Sequence, residues 1–118
     1  MSGPGDDAVA GRPGEENYVP KLIAQLEVPV RPDKVDEAPA VLSKILADTR
    51  AFAGCEDVTV VEDTTAPGTF LAIETWESVE ADAKYRQWRA GEGAAGLAPL
   101  GELLAGPPVL RTFTVTEI

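Results

Sequence analysis

The chain has 118 residues, enough for one hydrophobic core and too few for two ordinary domains. Its composition, 44% hydrophobic and 25% charged, is that of a globular protein and excludes the low-hydrophobicity regime of disordered chains. Twenty acidic residues against ten basic ones give a net charge of -10, a field that repels phosphate backbones and anionic headgroups, so neither nucleic acid nor a membrane is expected as a partner.

In chain order, Gly3, Pro4, Gly5, Gly11, Pro13 and Gly14 lie among charges with no apolar period, which predicts a flexible tail over residues 1–19 and a single domain over 20–118. The opening MSGPGDDAVAGRPGEEN has no basic and no apolar leader region, and no run approaches the roughly 20 apolar residues that cross a bilayer, so a cytoplasmic location is expected. Leu22 to Val28 reads as a first strand that ends at Pro29 and Pro32. Asp33 then offers an N-cap oxygen, and Val35, Ala38, Leu42, Ile45, Leu46, Thr49 and Phe52 recur at steps of three and four, predicting a helix over about Lys34 to Phe52. Pro39 conflicts with that span, because a proline beyond the first turn lacks the donated hydrogen bond; the helix must start late or bend.

Gly54 is placed to end the helix, and Val58 to Val61 make a β-branched second strand. The turn chemistry of Asp63 to Gly68 leads into a third strand over Thr69 to Trp76, antiparallel to the second by the shortness of the link. Alternation puts Phe70, Ala72, Glu74 and Trp76 on one face. Ser78 can cap a second helix in which Ala81, Tyr85 and Trp88 share a face, ending near Gly91. Leu97, Leu100, Leu103 and Leu104 suggest a short third helical piece before Gly106-Pro107-Pro108, and Val109 to Ile118 alternates as a fourth strand. This order is the ferredoxin-like split βαβ, an α+β fold with a four-stranded antiparallel sheet and helices on one face.

The first strand with its turn at Arg31-Pro32-Asp33, the Ala53-Gly54-Cys55 segment, and Phe70 to Ser78 with its Glu-x-Trp-Glu-Ser stretch together resemble the antibiotic biosynthesis monooxygenase family of the dimeric α/β-barrel superfamily. The resemblance runs from about Lys21 to Ile118. It implies a homodimer in which two bare sheet faces close on one another, with at least about 800 Å² buried per partner, and a small-molecule pocket between sheet and helices. Many members of the family carry histidine nine positions after that tryptophan; here the position is Tyr85. Haem-degrading cousins use a later histidine as iron ligand, and this chain has no histidine at all, so haem degradation by that ligation is not expected. The same absence removes the commonest metal ligand and the favoured base near neutral pH. One cysteine, Cys55, makes neither a disulfide nor a zinc site, and it lies past a helix end where nothing activates it. No metal and no cofactor are therefore expected. Gly91-x-Gly93 does not follow a strand into a helix and predicts no phosphate cradle.

The candidate catalytic residues are Tyr85, Trp76 and Glu74. Trp76 reads either as core or as a pocket wall with one N–H donor. Tyr85 reads as a core tyrosine or as a phenol bonded to a substrate oxygen. Glu74, on the Trp76 face, reads as a salt-bridged strand carboxylate or as a general base. Phe70, Trp88, Arg86, Arg89 and Arg50 are candidate substrate contacts: the aromatics as packing surface, and an arginine as the cation that an enolate or phenolate needs. The reading that the resemblance implies is a cofactor-independent monooxygenase for a small aromatic or polyketide-like substrate of secondary metabolism. An isomerase or cyclase acting through an enolate, or a non-catalytic ligand-binding module, would use the same surface.

Overall fold

Leu22–Pro29 (β1) alternates in burial as a half-covered strand must, with Leu22, Ala24 and Val28 facing inward. In this computed structural model residues 18–118 are described. The tail expected over 1–19 lies outside them except for Tyr18 and Val19, and the Tyr18 hydroxyl donates to the Val115 carbonyl at 2.8 Å.

Two corrections fall at the first helix. A 3-10 turn covers Pro32–Glu37, and the α-helix (α1) runs only over Ala38–Ala51. Pro39 therefore sits in the first turn of α1, where its missing N–H has no intrahelical partner to lose. Asp33 caps nothing. Its carboxylate instead pairs with Arg31 at 3.3 Å, and that guanidinium holds its carboxyl below the ordinary range. At the other end Gly54 adopts φ +92°, and its carbonyl accepts from Glu77 N–H at 2.8 Å, which ties the exit of α1 to the end of the third strand.

Cys55–Glu62 (β2) and Thr69–Trp76 (β3) form the expected antiparallel hairpin, with a register shift between Cys55 and Asp57. In the connecting turn the Asp63 carboxylate accepts from both the backbone N–H and the hydroxyl of Thr65 at 2.8 Å, which lowers its pKa. Val79–Ala90 (α2) starts at Ser78, whose hydroxyl accepts from Ala81 N–H at 3.1 Å, as the sequence indicates. A 3-10 turn at Ala94–Leu97 and a one-turn helix at Ala98–Gly101 (α3) follow, then Val109–Thr114 (β4), which stops four residues short of the expected end.

The sheet order is β2-β3-β1-β4 and every pairing is antiparallel, the ferredoxin-like arrangement. One apolar cluster joins α1, α3 and the far ends of the strands through Val28, Leu42, Leu46, Ala72 and Leu103. A second, under α2, joins Leu22, Ala24, Trp76, Ala81 and Tyr85. The opposite face of the sheet carries Ile23, Leu71, Ile73, Val61, Val109 and Phe113, none of them buried. β4 is exposed along its whole length on both sides. No helix among the described residues is long and apolar enough to cross a membrane.

Candidate functional site

Strand alternation sends Glu74 and Trp76 to the helix side of β3, and the three- and four-residue steps of α2 bring Asp82, Tyr85, Arg86 and Arg89 down onto them. Trp76 is fully buried. Its indole N–H donates to Glu74 Oε1 at 3.0 Å, and Glu74 itself is 1% exposed. The same Oε1 accepts from Arg86 Nη2 at 2.6 Å, while Arg86 Nε donates to Asp82 Oδ1 at 3.1 Å. One guanidinium thus lies between two carboxylates, and the trio carries one net negative charge. Arg86 is its accessible member, with a side chain 26% exposed.

Tyr85 and Arg89 form a second knot beside the first. The Tyr85 hydroxyl lies 2.6 Å from Thr49 Oγ1 and accepts from Arg89 Nε at 2.9 Å. Arg89 spends its other donors on the Gly93 and Ile45 carbonyls at 3.1 and 3.0 Å. The Tyr85 hydroxyl is therefore engaged inside the protein, not held out toward a rim. Arg86 and Arg89 also lie over the Tyr85 ring, and Arg89 over Trp88, at 4.7 to 5.4 Å from the ring centroids. Phe52, at the end of α1, completes the aromatic shell with centroids 6.2, 5.3 and 5.5 Å from those of Trp76, Tyr85 and Trp88. Trp88 packs so closely on Gly93 that a Cβ there would lie 2.6 Å from the indole.

Six of the eight candidates, Glu74, Trp76, Tyr85, Arg86, Trp88 and Arg89, are thus assembled in one cluster. The other two sit elsewhere together. Phe70 and Arg50 line a cavity of about 180 Å³ with Leu42, Leu46 and Val60, at the β2 edge of the sheet. Four strand positions separate Phe70 from Glu74, about 13 Å of chain. Arg50 donates to the Val58 carbonyl at 3.0 Å. Phe52, Thr49 and Asp82 were not foreseen as part of the cluster. Asp82 had a signal, its i,i+4 spacing to Arg86, whereas Thr49 and Phe52 read only as members of an apolar stripe.

Cys55, opposite Trp76 in the hairpin, has its thiol pushed up first by burial and then by the charge of Glu74. It is an inert thiol at neutral pH, in line with its position past the helix end. Among the described residues no group of three histidine, cysteine or acidic side chains is arranged to hold a metal ion. Within the cluster the Trp76 indole N–H and two Arg86 donors converge on buried carboxylates among aromatic rings.

A family model described as antibiotic biosynthesis monooxygenase matches residues 21–95. Among solved structures, a candidate antibiotic biosynthesis monooxygenase from Caulobacter crescentus aligns with TM-score 0.71 and 22% identity, covering 85% of this chain and 93% of its own. The Mycobacterium tuberculosis protein Rv0793 aligns with TM-score 0.68 and 22% identity over 83% and 97% of the two chains. A conserved protein from Methanosarcina mazei aligns with TM-score 0.69 and 18% identity over 80% and 92%. At these identities the likeness to solved structures speaks for the fold. No curated protein matches the chain.

Proposed function

Because the chain belongs to the antibiotic biosynthesis monooxygenase family, we propose that it oxygenates a small aromatic, polyketide-like substrate without metal or haem. The observation that carries this reading is the Glu74 carboxylate, 1% exposed, held by Trp76 and Arg86 beneath a shell of aromatic rings. An apolar core has no need of such a group, and a carboxylate so placed suits proton abstraction from an electron-rich ring system. Glu74 acts as base, Trp76 and Trp88 as walls, and Tyr85 as the positioning residue that Thr49 and Arg89 fix.

The chemistry needs no cofactor when the substrate itself is the reductant. Glu74 takes a proton from an activated methylene or phenol, and the delocalised anion passes an electron to molecular oxygen. Recombination gives a hydroperoxide, and loss of water leaves a carbonyl, so that one methylene and one O2 yield one C=O and one H2O. Charge stays balanced through Arg86. Once Glu74 is protonated its charge attraction for the guanidinium is lost, and the partly exposed side chain becomes available to the oxyanion that has formed. Arg86 is the member of the trio that solvent reaches, so a substrate approaches Glu74 from that side in this reading.

The apolar open face of the sheet supports a homodimer through that face, since an unpartnered apolar surface of this kind favours association. A cytoplasmic setting belongs to the same reading and fits the one free cysteine among the described residues.

The test is an oxygen electrode with 1,8-dihydroxyanthrone as probe. The expected result is one O2 consumed per anthrone, and Glu74→Gln slows turnover by about a hundredfold or more. Conversion of a probe without oxygen uptake would assign the site to enolate isomerisation or cyclisation, and saturable binding without conversion to a ligand-carrying module.

A further inference from the structure

The open face of the sheet carries one acid and one base along the seam between β1 and β4. Alternation puts Ile23, Gln25 and Glu27 of β1 on this face, and the register sets Glu27 between Leu71 of β3 and Val109 of β4. Arg111 follows Val109 by two residues and stands opposite Gln25, so it is the diagonal neighbour of Glu27, about 7 to 8 Å away. Both residues are exposed, and neither has an ion-pair partner among the described residues. The Arg111 guanidinium lies over the ring of Phe113, on the same face, 5.1 Å from its centroid.

Neighbouring charges are already answered. Lys21 and Glu56 pair with each other, and Asp57, on the edge strand β2, accepts from the Thr59 hydroxyl at 3.1 Å. Glu27 is different, because it sits on an inner strand between two apolar residues. If a second sheet closes over this face, an unanswered carboxylate beside Leu71 and Val109 opposes the contact. Two-fold symmetry supplies the answer. In an isologous contact residue i meets the partner's j while j meets the partner's i. An axis that passes between Glu27 and Arg111 therefore sets each against the opposite charge of the other subunit and forms two equivalent ion pairs. An axis through either residue would set like charges together.

We propose that two copies of this chain meet face to face with Glu27 of each subunit paired to Arg111 of the other, and that these two ion pairs fix the register of the contact. The inference rests on the homodimer proposed above and goes beyond it. Apolar surface favours association without choosing a register, whereas opposed charges choose one.

The test is light scattering after size exclusion over a dilution series, with native mass spectrometry of mixtures. The parent chain is expected to be a dimer. Glu27→Arg and Arg111→Glu should each raise its dissociation constant about tenfold or more, because each sets like charges together twice per dimer. Mixed, the two variants should form a heterodimer in preference to either homodimer, since one subunit then carries two bases at these positions and the other two acids. The double variant Glu27→Arg/Arg111→Glu should return to within about threefold of the parent. Single variants that dimerise like the parent, or a mixture without excess heterodimer, would overturn the pairing and leave the dimer standing. Rescue in the double variant but not in the mixture would place the ion pair inside one subunit, and rescue of Arg111→Glu by Asp57→Arg in place of Glu27→Arg would assign the acid to Asp57; both overturn the proposal. A parent chain that is monomeric at every concentration would remove the dimer itself.

Discussion

Replacing Arg86 by Met strands the Glu74 carboxylate in the interior, and the structure sets the size of the penalty. At 2.6 Å between Nη2 and Oε1, the gross attraction is about 6 kcal/mol at an effective dielectric of 20. Most of this offsets the removal of Glu74 from water, and the partial exposure of Arg86 lowers it further. Arg86→Met should therefore cost about 2 to 3 kcal/mol, below the range for fully buried pairs. Glu74→Gln keeps an acceptor for Trp76 and for Arg86 and should cost about 1 kcal/mol. The double variant relieves Glu74 but still leaves the buried Asp82 carboxylate without Arg86, so its cost should exceed that of Glu74→Gln alone yet fall short of the sum of the two, a coupling of about 1 to 2 kcal/mol. Urea unfolding followed by circular dichroism, at one protomer concentration for all four proteins, measures the cycle. Additive costs, with coupling below about 0.5 kcal/mol, would refute the view that Glu74 and Arg86 form a desolvated pair.

Cys55 should react with iodoacetamide more slowly at pH 8 than a free thiol does, with an inflection in the rate profile above the ordinary thiol range. Glu74→Gln should move that inflection downward, because the carboxylate is one of the two leading causes of the shift; an unmoved profile would dissociate the two groups. Gly54→Ala forces a Cβ to within 2.5 Å of the Ala81 Cβ at a backbone φ of +92°. Calorimetric melting should report a loss of about 2 kcal/mol or more, and a melting temperature within error of the parent would contradict the close approach. Ile73→Glu, in the middle of the open sheet face, should convert a dimer to a monomer in light scattering after size exclusion, whereas an unaltered mass would place any association elsewhere.

The order of elements was legible because each depends on local signals: alternation in β3, the Ser78 cap, the positive-φ glycine after α1. The late start of α1 was half legible, since Pro39 announces a conflict but not its resolution by a 3-10 turn. The cluster was legible where a single element decides it. Glu74 and Trp76 share a strand face by alternation, and Tyr85 and Trp88 share a helix face by spacing. What needed the fold was long-range: Thr49 meets Tyr85 from 36 positions away, and Arg89 reaches the Ile45 carbonyl from 44 away. Such contacts depend on how α1 and α2 lie side by side.

Arg86 and Arg89, two of the three arginines offered as the cation, are both occupied, and they are occupied differently. Arg89 is held by four acceptors and two ring faces, so releasing it would unpick the packing between α1 and α2. Arg86 is held by Glu74, Asp82 and the face of the Tyr85 ring, from a side chain that water already reaches. A cation that must answer a charge formed during reaction has to be released by the same event that forms the charge. Arg86 satisfies this, because the proton that creates the substrate anion is the one that neutralises its main partner. Asp82 keeps it tethered in the meantime. Arg89 is better understood as the brace that fixes Tyr85 and Trp88 as walls, which leaves the reacting groups of the cluster on β3 and one turn of α2.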